Sequence, residues 1–159
     1  MRLVFPNLVE IPYEVRSIYP SRISHKFRKN NVFHVKTYSE FIDDFESLAL
    51  GFKEEGIVRD DHVAFFSNNR YEWILIDYGL MLNGAISVPR GTDAPPKEAK
   101  FIFHHSDSTY LVVENEAQLH ELMEVFSDED KKSIKKIFII DRPAPGAVSD
   151  LSGYSISFI

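Results

Sequence analysis

The clearest periodic signal runs from His62 to Arg90, where an apolar run, a helical repeat and a second apolar run follow one another. His62 to Ser67 is short, apolar and closed by Ser67-Asn68-Asn69, the pattern of a strand buried on both faces with a helix cap at Asn68 or Asn69. The spacing predicts a helix from Tyr71 to Asn83, ended by the left-handed residue that Gly84 supplies. Ala85 to Val88 forms the next strand, which Pro89 stops. Together these make one βαβ unit. Its helix is apolar on two sides: Tyr71, Ile74, Leu75, Tyr78, Met81 and Leu82 fill one arc, and Trp73, Ile76 and Leu80 another on the far side. Such a helix must be covered twice. The first arc can be buried on the chain's own sheet. The second predicts a homodimer, or an aggregation-prone surface, through Trp73, Ile76 and Leu80 unless the amino-terminal residues fold over them.

The flanking pattern extends the alternation. Pro12 suits the first position of a short helix ending near Tyr19-Pro20, with Tyr13 and Ile18 toward the buried side, and Val32 to Val35 suits an edge strand. Thr37-Tyr38-Ser39-Glu40 matches a capping box. The helix it opens is amphipathic, with Phe41, Ile42, Phe45, Leu48, Ala49 and Phe52 on one face, and Gly56 ends it. After Pro89, Asp93 or Thr92 caps a short helix with proline in its first turn. A strand from Tyr110 to Glu114 follows, then a helix with Leu119, Leu122, Met123 and Phe126 on one face, and a last clear strand from Ile137 to Ile140. Strands alternating with helices predict an α/β fold whose sheet is mainly parallel, with right-handed crossovers. Residues 1–36 read as a lead-in helix and edge strand, 37–141 as the α/β body, and 142–159 as loop and tail.

Composition narrows the function classes. The 159 residues carry 18 Lys and Arg against 24 Asp and Glu, a formal charge of -6, which disfavours nucleic acid as a partner. Without cysteine there is no disulfide, thiolate catalysis or thiolate metal site. Pro6-Asn7 interrupts MRLVF before a signal-peptide core can form, and no apolar run reaches spanning length, so the chain reads as cytoplasmic. The basic stretch Arg22, His25, Lys26, Arg28 and Lys29 reads as a solvated surface, a peripheral membrane or phosphate contact being the alternative.

Catalytic motifs are mostly missing. The glycine positions allow neither a Rossmann G-x-G-x-x-G nor a G-x-x-x-x-G-K phosphate loop. Ser106 beside His105 and Asp107 is not a hydrolase triad, because such geometry is built in space rather than between sequence neighbours. His104 and His105 point about 100° apart on a helix, and no third ligand stands at a matching spacing. They read as helix-end histidines favouring the dipole, and Asp128, Glu129 and Asp130 beside Lys131 and Lys132 as a solvated face. One constellation remains. Open α/β sheets bind ligands beyond the carboxyl ends of their strands, and those ends carry Ser67, Asn68, Asn69, Arg90, Thr92, Asn115 and Arg142. Ordinary capping and loop chemistry is the plainer reading of them, so no catalytic, cofactor-binding or metal residue is assigned.

The succession TYSEF, then GIVRDDHVAFFSNNRYEWILIDYGLMLNGAISVPRGTDAPPKEAKFIFHHSDSTYLVVENE, resembles the amino-terminal part of adenylate-forming (AMP-binding) enzymes, especially long-chain fatty acid–CoA ligases. The likeness covers roughly Thr37 to Asp141, with a fainter lead-in from Val15. Arg90-Gly91-Thr92 departs from the commoner asparagine-containing loop of the wider family. The resemblance implies a fragment of the large amino-terminal domain, a layered α/β domain. It also implies ATP-dependent activation of a fatty acid to an acyl-adenylate and transfer to coenzyme A, assisted by magnesium. The family's phosphate loop, aromatic-Gly-x-Thr-Glu segment, ribose-binding aspartate and catalytic lysine have no counterpart in these residues. The chain by itself is therefore expected to be inactive, and a reading frame continuing past Ile159 is expected to encode the phosphate loop. The alternative is a non-catalytic α/β ligand-binding or protein-interaction domain.

Overall fold

The computed structural model describes residues 7–142 and 153–159, which form two compact units, Met1–Gly56 with Arg70–Asn83 and Ile57–Asn69 with Gly84–Ile159. Among the described residues no helix is long and apolar enough to cross a membrane.

The first unit contains α1 (Glu10–Ile18), a hairpin of β1 (Ile23–Lys29) and β2 (Val32–Thr37), α2 (Tyr38–Glu54) and α3 (Tyr71–Leu82). The hairpin turns through Asn30 and Asn31, whose φ values of 51° and 62° give the mirror-image two-residue turn that matches strand twist. Sequence periodicity revealed β2 but missed β1, because the basic side chains of Ile23–Lys29 obscure its alternation. The capping box is present: Thr37 Oγ1 accepts the Glu40 N–H at 3.3 Å and Glu40 Oε2 accepts the Thr37 N–H at 2.7 Å. Gly56, at φ 93°, follows the end of the helix. In α1, Pro12 is buried and Tyr13 Oη donates to Glu46 at 2.7 Å, but Ile18, the last residue of the helix, is exposed rather than buried.

The core of this unit is aromatic. Phe41, Ile42, Phe45 and Tyr71 are buried together, with Tyr13, Phe27, Ile74, Leu75 and Tyr78 packed around them. Phe27 stacks on Tyr71 at 4.5 Å, and Phe41 meets Phe45 edge-on at 5.1 Å. Two expectations about α3 are corrected here. Its arc of Tyr71, Ile74, Leu75 and Tyr78, expected on the sheet, packs with the aromatic face of α2. The face expected to need an outside partner is covered within the chain, since Ile76 and Leu80 are 0% exposed and Trp73 is half-buried. Dimerisation through Trp73, Ile76 and Leu80 thus loses its driving force. The helix start also differs: Arg70, in extended conformation, takes the cap position without a side-chain bond, and neither Asn68 nor Asn69 caps it.

The second unit holds β3 (His62–Phe66), β4 (Ile86–Arg90), α4 (Pro96–His105), β5 (Tyr110–Val113), α5 (Glu116–Val125), α6 (Asp128–Ser133), β6 (Lys136–Ile139) and β7 (Ile156–Phe158). The strands form one parallel sheet in the order β4-β3-β5-β6-β7. Ala64, Phe66, Leu111, Val113, Ile137 and Ile139 make one sheet face, closed by Ala99 and Phe103 of α4 and by Leu119, Leu122 and Met123 of α5. Pro89 does not stop β4 but pairs opposite Phe65 inside it. An edge strand tolerates proline because its missing N–H need not face a neighbour. Pro95 precedes α4 without a side-chain cap, so neither Thr92 nor Asp93 caps that helix. The sequence from Leu151 onward, which lacks a clear pattern, supplies β7, and its three residues are too few for alternation to show. Of the loop expected from Arg142 to Gly146, all but Arg142 lies outside the described residues.

Candidate functional site

The strand order reverses at β3. The connection leaving β3 leads to β4 on one side, while the chain from β4 returns to β5 on the other. The crevice between the carboxyl ends of β3 and β5 is where a parallel sheet of this kind offers a ligand site, and the structure shows what fills it. Ser67, 1% exposed, donates its N–H to the Arg90 carbonyl at 3.1 Å. Its Oγ donates to the Asn68 carbonyl at 3.1 Å and to Glu114 Oε2 at 3.3 Å. The Asn68 N–H donates to the same Glu114 oxygen at 2.8 Å. Glu114 is itself held in place: its N–H donates to Gln118 Oε1 at 2.8 Å and its carbonyl accepts the Asp141 N–H at 2.8 Å.

The structure thus brings Ser67, Asn68 and Arg90 together. Asn115 caps α5, its Oδ1 accepting the Gln118 N–H at 2.9 Å. Arg142 lies over the Phe158 ring at 5.9 Å, and Asn69 is exposed. Arg90 is engaged on its own loop, with Nη1 on Asp93 at 2.8 Å and Nε on Glu98 at 3.1 Å. Glu114 is the residue that sequence reading passed over. Its signal was faint, a carboxylate directly after a buried strand, and its importance depends on which strands are neighbours.

A backbone N–H and a serine hydroxyl converging on one oxygen are donors suited to an anion. Here they hold an internal carboxylate, while two more carboxylates neutralise Arg90. These residues therefore do not form a cradle open to nucleotide phosphates. The described residues also assemble no group of three His, Asp or Glu side chains that could hold a metal ion.

The opposite end of β5 corrects another expectation. Asp130, expected on a solvated face, is 3% exposed. It accepts the Ser127 N–H at 2.7 Å and Ser127 Oγ at 2.6 Å, and pairs with Lys100 Nζ at 3.1 Å and His104 Nε2 at 2.8 Å. Burial alone would raise this carboxyl, but the Ser127 hydrogen bonds and then Lys100 outweigh it and hold it at about 2. His104 therefore serves a carboxylate as well as a helix end, whereas His105 stacks on Phe101 at 5.2 Å. Ser106 Oγ lies 2.7 Å from Ser108 Oγ, an arrangement unlike a nucleophile and base. A cavity of about 330 Å³ opens beside these groups, lined by Phe103, His104, Asp107, Glu129 and Asp130 among others.

Residues 19–154 match the sequence profile described as "AMP-binding enzyme". The chain is 29% identical over 104 residues to a chloroplastic long-chain-fatty-acid–[acyl-carrier-protein] ligase of Arabidopsis thaliana, a match covering 65% of this chain and 14% of that protein. It is 35% identical over 108 residues to 4-hydroxybutyrate–CoA ligase 2 of Metallosphaera sedula, covering 68% of this chain and 19% of that protein. The crystal structure of a mutant coronafacic acid ligase from Pectobacterium brasiliense superposes with a TM-score of 0.76 at 19% identity, covering 94% of this chain and 28% of that one. That likeness shows the fold. The chain spans less than a fifth of the length of either of these two relatives.

Proposed function

Because the chain belongs to the AMP-binding enzyme family, we propose that it is the amino-terminal part of an ATP-dependent acid–thiol ligase whose acid is a fatty acid. In the whole protein, the fatty carboxylate attacks the α-phosphorus of ATP, giving acyl-adenylate and releasing pyrophosphate. A thiol then attacks the acyl carbon and AMP leaves. The observation that carries this reading is the family match across most of the chain, joined to a relative named as a long-chain-fatty-acid ligase. The two relatives are named for different acceptors, an acyl carrier protein and coenzyme A. Coenzyme A is the acceptor we propose, with magnesium assisting the first step.

The proposed role of this chain within that protein is architectural. Glu114 ties the ends of β3 and β5, and the nucleotide is held by residues elsewhere in the protein. The chain by itself is accordingly inactive. The Ser67 hydroxyl and Asn68 N–H, which could otherwise meet a phosphate, are held by Glu114, so that source of electrostatic stabilisation is missing from the crevice. The test is exchange of labelled pyrophosphate into ATP, driven by fatty acids of increasing length. The whole reading frame should exchange, best with long chains, and the 159 residues alone should not. Failure of the whole protein with every carboxylic acid tried would favour a non-catalytic interaction domain.

A further inference from the structure

The hairpin of β1 and β2 has two faces of different chemistry. The register places Lys26 opposite Val35 and Arg28 opposite Phe33, so these four share the outer face, where Phe33 and Val35 are exposed. The inner face carries His25 opposite Lys36 and Phe27 opposite His34. Among the described residues, backbone hydrogen bonds tie the hairpin to α2 at its base alone. There the Tyr38 N–H donates to the Arg22 carbonyl at 3.0 Å and the Ser39 N–H to that of Pro20 at 3.1 Å. Everything beyond the base is docked through side chains.

His25 sits within that docked face. Its ring lies 4.3 Å from Phe41 of α2 and 5.7 Å from Tyr71 of α3, and Phe27, two residues on, stacks on the same Tyr71. Its Nδ1 is 2.9 Å from Ser24 Oγ, a neutral partner. A charge on this ring meets no counter-ion. Lys36 of β2, directly opposite, is itself a cation. On α2, Asp44 is taken by Lys36 at 2.6 Å and by Tyr71 Oη at 2.8 Å, and Glu40 by the capping box. On α3, Glu72 is held by Lys29 and Arg70. His34, on the same face of the hairpin, stacks on Phe27 at 5.5 Å but is exposed. The rings themselves attract a cation. Burial acts the other way and lowers the His25 pKa below its ordinary value.

We propose that the hairpin is an acid-sensitive clasp, whose docking on the aromatic faces of α2 and α3 weakens when His25 takes up a proton. The two helices stay packed, because Phe41 and Phe45 meet each other and Tyr78 without the hairpin. Loosening the clasp uncovers Phe27 and Tyr71. A buried imidazole binds its proton less well docked than free, so this contribution to docking is fully present above about pH 6.5. It is lost as pH falls through the lower, docked value. The pair of Lys29 with Glu72 survives this range, since Glu72 is held at about 2. Such a clasp is independent of which acid or thiol the enzyme uses.

Proton NMR of the full 159-residue chain, titrated from about pH 7.5 to about pH 5, tests it. The His25 ring should titrate below the histidines of the same chain unfolded in urea. A two-stranded hairpin alone is marginal in water, so undocking also exposes the β1 and β2 amides to exchange. Their protection, corrected for the intrinsic effect of pH, should fall over the same range, while that of central α2 amides holds. Each pH unit between the docked and unfolded midpoints is worth about tenfold in docking, so the loss of protection should match the separation measured. His25→Phe keeps a ring but takes no proton, and its hairpin protection should not change with pH. His34→Gln should behave as the wild type. A His25 midpoint at or above that of the unfolded chain would overturn the proposal, even if His25→Phe failed to fold. So would a loss of hairpin protection in His25→Phe equal to that of the wild type.

Discussion

The two units keep their polar chemistry in different places. In the first, charges cluster at the margins of an aromatic core: Tyr71 Oη donates to Asp44 at 2.8 Å, and Glu72 is held by Lys29 at 2.7 Å and Arg70 at 3.0 Å. One further set of cations is left facing outward on the hairpin. In the second, the central strands bury aliphatic side chains together with Phe65, Phe66 and Phe138, and carboxylates are drawn in at the two ends of β5, Glu114 at one and Asp130 at the other. Aromatic rings bring edges and hydroxyls that polar groups can join. The buried runs 63–66, 111–113 and 137–139 of the sheet carry no polar side chain, so polar groups collect where the strands end. The contrast explains why the outward-facing chemistry belongs to the first unit and the closed crevice to the second.

The strongest way to break this comparison is in the parallel sheet. Leu111 is 0% exposed at the centre of the second unit, and Leu111→Ala should cost about 2–5 kcal/mol by urea denaturation. A cost below about 1 kcal/mol would mean that the sheet is not the tightly packed core described.

Acid should affect both units in the same direction. For Glu72, burial would raise the carboxyl, but hydrogen bonds from Arg70 and Lys29 prevail and hold it at about 2, as Ser127 and Lys100 do for Asp130. Both folded values lie below those of the unfolded chain. The stabilisation is therefore present above about pH 4 and is lost as pH falls toward 2. With solvent screening allowed for, each carboxylate should contribute on the order of 1–2 kcal/mol. Glu72→Gln and Asp130→Asn should each flatten part of the stability curve between those pH values, and an unchanged curve for either would remove that carboxylate from the account.

A smaller effect belongs to the capping box. Thr37→Ala should cost about 1 kcal/mol and fray the start of α2, seen as faster amide exchange over Tyr38–Phe41. The second unit, whose α4 has no side-chain cap, should lose nothing from Thr92→Ala beyond about 0.5 kcal/mol.

Legibility in the sequence followed the range of the interactions involved. The α2 capping box, the Gly84 terminus, the parallel alternation and the family likeness depend on neighbours a few residues apart or on their order, and these were readable. The two-sided burial of α3 was also readable as a requirement. What covers Ile76 and Leu80 was not, because periodicity gives a face but not its partner. Pro89 was misread since its tolerance depends on β4 being an edge, a property of the whole sheet. Glu114 was passed over, and Asp130 read as solvated, for the same reason. A carboxylate beside a strand or helix end looks solvated until the tertiary neighbours, Ser67 and Asn68 or Lys100 and His104, are in place.

The central claim is that the fold is that of an AMP-binding enzyme while the donors at the β3–β5 crevice, Ser67 Oγ and the Asn68 N–H, are engaged by the chain's own Glu114. Isothermal titration of the purified 159 residues with ATP and magnesium addresses it directly. The account predicts no saturable heat, because the donors at Ser67 and Asn68 are already engaged. Saturable binding abolished by Ser67→Ala would contradict it, placing the nucleotide in the crevice where the structure puts a carboxylate.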